Sequence, residues 1–140
     1  MENSFIDAYI CRVDENGKNY RCYMDEIENS LEIFQSIVDG NIEVIRVSDD
    51  VLGVVNEDGK FNGLKPSRLW NVDGNMDIVF GNIIFVRSDS DGNFTSVEPE
   101  DIDIILEQFT AIKCIRDCNG ISGIVTIPDK FLEEWEEHEQ

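Results

Sequence analysis

Asp89, Asp91 and Asn93 have the spacing with which a calcium-binding loop opens, and Glu100 stands at the twelfth position of that loop. The sixth position is Phe94, where such a loop needs glycine for its sharp turn, and the residues before Asp89 read as strand rather than helix. The expectation is therefore a turn rich in Asp, Gly and Asn that closes a hairpin and leads to a helix. The four cysteines are Cys11, Cys22, Cys114 and Cys118, and no pair of them has the C-x2-C spacing of a zinc knuckle. The single histidine, His138, lies near the end of the chain, so no Ser/His/Asp or Cys/His set can be assembled. No glycine-rich stretch matches a phosphate-binding loop. Carboxylates are abundant, but abundance without a fixed pocket does not make an acid/base pair. These residues point to a protein that is not an enzyme and carries no metal or cofactor.

Charge is the outlying property. Thirty acidic residues against eleven basic give a net charge of −19. Such a surface repels nucleic acid and anionic membrane, because phosphate binding needs Lys and Arg. It attracts basic surfaces and speeds association with them at low salt. The charge has two readings: solubility, or carboxylates offered where a basic, nucleic-acid-binding surface expects phosphates.

The densest acidic run closes the chain. Asp129 to Glu139 reads as a helix with Phe131, Leu132 and Trp135 on one side, and Glu133, Glu134, Glu136 and Glu137 cover most of the rest. That stripe is the leading partner-binding candidate, with a solvated tail as the plain alternative. Trp70, in the stretch GLKPSRLWN, is read as part of a plug over the core with Leu69, or as an exposed anchor for a partner. In a ligand-binding alternative, Lys65 or Arg68 would receive an anion beside Trp70.

The elements that must position these groups start from Asn29 to Val47. Asn29 is a candidate N-cap with Glu32 placed as a capping-box carboxylate. Leu31, Phe34, Ile37 and Val38 form an apolar stripe at helical spacing, and Gly40 is the expected left-handed stop. Ile42 to Val47 and Val51 to Asn56 then read as strands. Phe5 to Val13 and Lys18 to Met24 read as a hairpin closed by Asn16-Gly17, which sets Val13 opposite Tyr20, Cys11 opposite Cys22 and Tyr9 opposite Met24 on one apolar face. The two cysteines are expected to be reduced thiols packing as small apolar groups, with a redox role as the lesser reading. Asp58-Gly59 is read as a second hairpin turn, with Val55 opposite Asn62, and Gly63 to Asn71 as a loop around Pro66. Ile78 to Val86 reads as one central strand bent at Gly81-Asn82, or else a tight hairpin. Pro99 is the expected first residue of a helix that buries Ile102, Ile105, Leu106 and Phe109. Thr110 to Arg116 and Ile121 to Ile127 read as a last hairpin.

Several of these pieces, "NSLEIFQSIVDGNIEVI", "NEDGKFNGL", "DIVFGNIIFVRSD" and "GNFTSVEPEDIDIILEQF", resemble a small bacterial family known as a domain of unknown function, number thirty-eight forty-six. The resemblance covers roughly Ile6 to Phe109. The family's usual setting is plasmids, conjugative elements and phages, so the resemblance implies a mobile-element accessory protein.

The expected fold is α+β: a mostly antiparallel, twisted sheet of hairpins with two or three short helices packed on it. At 140 residues the chain is read as a single domain, with 6–109 as the family-like core and 110–140 as a C-terminal hairpin plus acidic helix. No stretch approaches the ~20 apolar residues of a membrane helix, and MENSFIDAYI has no signal-peptide pattern. A cytoplasmic monomer or homodimer is expected. The expected function is inhibition or modulation of a host nucleic-acid-acting (defence) protein through acidic surface. The alternative is a module that binds or sequesters a small molecule or nucleotide.

Overall fold

The computed structural model describes residues 4–13, 20–59, 61–72, 74–117 and 120–127, with the backbone alone for residues 20, 72, 111–117 and 120–127. In chain order the elements are β1 (Phe5–Val13), β2 (Tyr20–Glu28), α1 (Leu31–Val38), β3 (Ile42–Arg46), β4 (Val51–Asn56), β5 (Pro66–Val72), β6 (Asn75–Phe80), β7 (Ile83–Ser88), β8 (Phe94–Thr95), α2 (Asp101–Gln108), β9 (Phe109–Asp117) and β10 (Gly120–Ile127). They form two antiparallel sheets. The first has the order β2-β1-β7-β4-β3, with β8 paired to the end of β7, and the second has the order β10-β9-β5-β6. With the two helices packed on these sheets, the architecture is α+β, as expected.

β7 explains the layering. Ile83, Ile84, Phe85 and Val86 are all fully buried, and successive side chains point to opposite faces. Ile84 and Val86 enter a core with Phe34, Ile37 and Val38 of α1. Ile83 and Phe85 enter a second core with Val79 of β6, Ile105 of α2 and Phe109. The first sheet is thus covered by α1 on one face and by the second sheet and α2 on the other. β1 follows the same alternation, with Ile6, Ala8 and Ile10 in the first core and Tyr9 and Cys11 in the second. Its hairpin register with β2 is the expected one, Cys11 opposite Cys22 and Tyr9 opposite Met24. The single apolar face is not: β1 lies between β2 and β7 inside a sheet covered on both sides.

The junctions between elements differ from expectation in several places. The N-cap of α1 is Ser30, whose side chain accepts from the Ile33 N–H at 3.3 Å. Asn29 instead donates its amide to the Phe94 carbonyl at 3.0 Å. The left-handed residue that ends α1 is Asp39 (φ 63°), with Gly40 following. Gly40 is required for space, since a Cβ there would lie 2.7 Å from Asn56 Nδ2. Asp58-Gly59 closes no hairpin, because β4 already has β3 on one edge and β7 on the other, and Val55 faces Glu43. The chain turns instead through Asn62 N–H to Asp58 O and Leu64 N–H to Gly59 O. Pro66 to Val72 is a strand rather than a loop; Pro66 is its first residue, beside a register shift, where a missing N–H does least harm. Ile78 to Val86 is neither a bent strand nor a tight hairpin: β6 belongs to the second sheet and β7 to the first, and the chain crosses between them at Gly81. α2 begins at Asp101, two residues beyond Pro99, with its buried stripe as expected.

Two asparagines join the layers. Asn82 donates to the Ile37 carbonyl at 2.9 Å and accepts from the Val13 N–H at 2.9 Å, tying the ends of α1 and β1 to the crossing point. Asn56, 5% exposed, donates to the Val38 carbonyl at 3.0 Å and accepts from the Asp58 N–H at 2.8 Å. Replacing it leaves buried groups unsatisfied, at a cost of about 1–3 kcal/mol. Asn56→Ala and Gly40→Ala are each expected to lower stability in urea melts by roughly that amount. Because a Cβ at Gly40 displaces the same Asn56 amide, the double variant is expected to lose less than the sum of the two.

Candidate functional site

A concavity lies between the two sheets. It is a groove of about 580 Å3 between β3–β4 of the first sheet and β5–β6 of the second. Strand alternation puts Ile45 and Val55 on the face turned toward the second sheet, and they form its floor with Val79 and Trp70. Glu43, Glu57, Asp58 and Asp77 are exposed on its wall and rim. Asp77 Oδ1 accepts from the Ile78 N–H at 2.8 Å, which fixes that carboxylate beside the groove. Phe61 (87% exposed) and Met76 (65% exposed) stand at the mouth. Among the described lining residues there is no Lys or Arg. The groove therefore offers apolar contact inside a ring of carboxylates.

Trp70 is the end of an aromatic chain that builds one wall. Its ring stacks on Phe109 at 5.6 Å with 6° between planes; Phe109 meets Phe85 edge-on at 5.0 Å, and Phe85 lies 6.3 Å from Tyr9. The indole N–H donates to Gln108 Oε1 at 3.2 Å, and Gln108 in turn donates to the Val47 carbonyl at 2.7 Å. Trp70 is half-buried: it packs against the core through Phe109, as the plug reading expects, and it also lines the groove.

The other sequence candidates are not gathered around it. Lys65 lines a separate, smaller depression of about 160 Å3 with Leu64, Gly81 and Asn82. Arg68 is 1% exposed, in the layer between the sheets, with Nη1 on the Phe109 carbonyl at 3.3 Å and Nη2 on Cys22 Sγ. Glu133, Glu134, Glu136 and Glu137 lie outside the described residues. The groove carboxylates have no common signal in the sequence because they come from β3, the turn after β4, and β6, which are separated along the chain. Phe61 and Met76, large apolar residues amid polar turn residues, were the available signal.

The sequence profile of the family described as Domain of unknown function (DUF3846) matches residues 9–110. The chain belongs to that family. The DUF3846 segment runs from inside β1 to the start of β9 and contains every described residue of the groove. No curated protein and no solved structure matches the chain. No helix among the described residues is long and apolar enough to cross a membrane.

Two other acidic spots have structural work. The Asp89 carboxylate accepts from the N–H groups of Asn93 and Asp91, both at 2.9 Å, and these bonds hold it below its usual range. That is the expected Asp/Gly/Asn turn. Asp101, 6% exposed, makes a two-pronged pair with Arg87, Nε to Oδ2 at 2.7 Å and Nη2 to Oδ1 at 2.9 Å, and also accepts from the Glu98 N–H at 2.8 Å. The guanidinium contact holds the Asp101 carboxyl below the usual range, against the upward push of burial. A depressed carboxylate contributes stability that is complete above its unfolded pKa of about 3.9 and is lost as the pH falls through the lower folded value. Asp101→Asn is expected to cost about 2–3 kcal/mol at pH 7. Melts taken down to about pH 2 are expected to show the gap between parent and variant closing below about pH 4.

Proposed function

We propose that the protein is a non-enzymatic acidic binder of the kind a mobile element carries. It modulates a host nucleic-acid-acting protein by occupying that protein's basic surface. Its docking site is the groove between the sheets, and the occupant is a basic segment that also presents an apolar side chain. The observation that carries this is the pairing of Phe61, Met76 and Trp70 with Glu43, Glu57, Asp58 and Asp77 in one concavity. Charge alone would attract any cation; the apolar floor selects a segment whose Lys and Arg flank a hydrophobic anchor. The net charge of −19 supports the same reading by steering basic partners from a distance. The volume also favours a second reading, since about 580 Å3 falls within the range of small-molecule pockets.

The test is a titration with an alternating Lys/Leu peptide, an all-Lys peptide of equal charge and a panel of nucleotides. The Lys/Leu peptide is expected to bind at least about tenfold more tightly than the all-Lys peptide, with affinity falling steeply with salt. Glu43→Gln, Glu57→Gln, Asp58→Asn and Asp77→Asn together are expected to weaken it about tenfold or more. An equal neutralisation elsewhere (Asp25→Asn, Glu26→Gln, Glu32→Gln and Asp49→Asn) is expected to weaken it far less. Equal losses from both sets would remove the groove as the site. Binding of a nucleotide with little salt dependence would favour the second reading. A pull-down washed at low and then high salt would then name the natural partner.

A further inference from the structure

The geometry points to Cys22 as a reactive thiolate, held by Arg68 and Tyr9 and resolved by Cys11 into a cross-strand disulfide when a peroxide reaches it.

The groups meet in the layer between the two sheets. Cys11 and Cys22 are directly opposite in the β1–β2 register, and both are thiols. Residues directly opposed across an antiparallel pair have Cα atoms about 4.5–5.5 Å apart, inside the Cα range that a disulfide spans. Arg68 arrives from β5 of the other sheet, and its Nη2 donates to Cys22 Sγ. The Tyr9 hydroxyl, also on β1, is hydrogen-bonded to the same sulfur. Two donors converge on Cys22, and one is a guanidinium at 1% exposure. A buried guanidinium is stabilised by negative charge at its donors, and a sulfur that accepts from such donors is stabilised as the anion. Burial, and then charge on Cys22 and Cys11, push the Tyr9 phenol far up, so it remains a donor throughout the neutral range.

Access separates the two cysteines. Cys11 is 1% exposed, whereas Cys22 is half-buried on β2, which among the described residues pairs with β1 alone. The more exposed residue, Cys22, is the one that meets a small oxidant. With hydrogen peroxide, the Cys22 thiolate attacks one oxygen: an S–O bond forms, the O–O bond breaks, and hydroxide leaves and takes up a proton as water. The sulfur gives up two electrons and becomes a sulfenic acid. Cys11 Sγ then attacks that sulfur: an S–S bond forms, the S–O bond breaks, and hydroxide leaves with the Cys11 proton as water.

The test follows the rate of iodoacetamide alkylation of Cys22 against pH, with the site read by peptide mass spectrometry. The midpoint reports ionisation whatever the access. In the folded protein it is expected about one pH unit or more below that of the urea-unfolded chain, where a free thiol titrates near 8.5. Arg68→Met is expected to raise the midpoint to the unfolded value. Circular dichroism checks its fold, and if it does not fold, Tyr9→Phe reports the same effect through the second donor with a smaller rise. A folded-state midpoint at or above the unfolded one would overturn the thiolate. On peroxide treatment, a Cys11–Cys22 peptide is expected from the parent, and a dimedone-trapped sulfenic acid at Cys22 from Cys11→Ser. A disulfide joining Cys22 to Cys114, Cys118 or another chain would overturn the role of Cys11.

Discussion

The rest of the structure depends on a strand with no solvent-facing side. Ile83 to Val86 sends alternate side chains into two separate cores, one under α1 and one under the second sheet. A strand of that kind cannot be satisfied by one layer, so the chain must supply a cover for each face. α1 is short and amphipathic and supplies one. The other takes a whole second sheet, anchored through Phe109 and Trp70. Where chain ends come into these dry layers, backbone groups need partners, and Asn82 and Asn56 provide them. The two side chains are small, but each joins elements that are far apart in sequence.

This explains which parts were legible beforehand. The β1–β2 register was legible because an Asn-Gly turn signal sets pairing from local sequence alone, although Asn16 and Gly17 themselves lie outside the described residues. The stripe of α2 could be read from Ile102, Ile105 and Leu106, because helical period is also local. The Asp58-Gly59 hairpin failed for a non-local reason: both edges of β4 were claimed by β3 and β7, and no turn propensity can report an occupied edge. Gly81 read as a bulge because a glycine between two apolar runs looks the same whether the chain bends within a sheet or leaves it. Ser30 displaced Asn29 as the cap because Asn29 was needed at the Phe94 carbonyl. Arg68 read as a side chain that could receive an anion beside Trp70, and its burial follows from a strand that the sequence had presented as a loop around Pro66.

The candidate site was harder to read than the fold. Net charge motivates the proposed basic partner, but charge has no address in a sequence with thirty carboxylates. Only the packing of β3–β4 against β5–β6 selects Glu43, Glu57, Asp58 and Asp77 and sets them beside Trp70. The clustering of Asp101, Glu98 and Glu100 shows the opposite case, where acidic density is spent on starting a helix and pairing with Arg87. The described acidic residues thus do different work by place: Asp89 holds a turn and Asp101 a helix start, whereas Glu43, Glu57, Asp58 and Asp77 stand exposed around the groove.

The order β10-β9-β5-β6 places β9 in the interior of the second sheet, although the family match ends at residue 110, its second residue. β5 has β6 on one edge, and Phe109 to Ala111 takes the other. Without β9 and β10 the second sheet would be a two-stranded ribbon, which is marginal alone. The end of the family match and the edge of the second sheet therefore fall at different places in this chain. A comparison of family members cut at the shared segment would compare incomplete sheets, and variation beyond residue 110 would reach the groove through β5 without touching any residue that lines it.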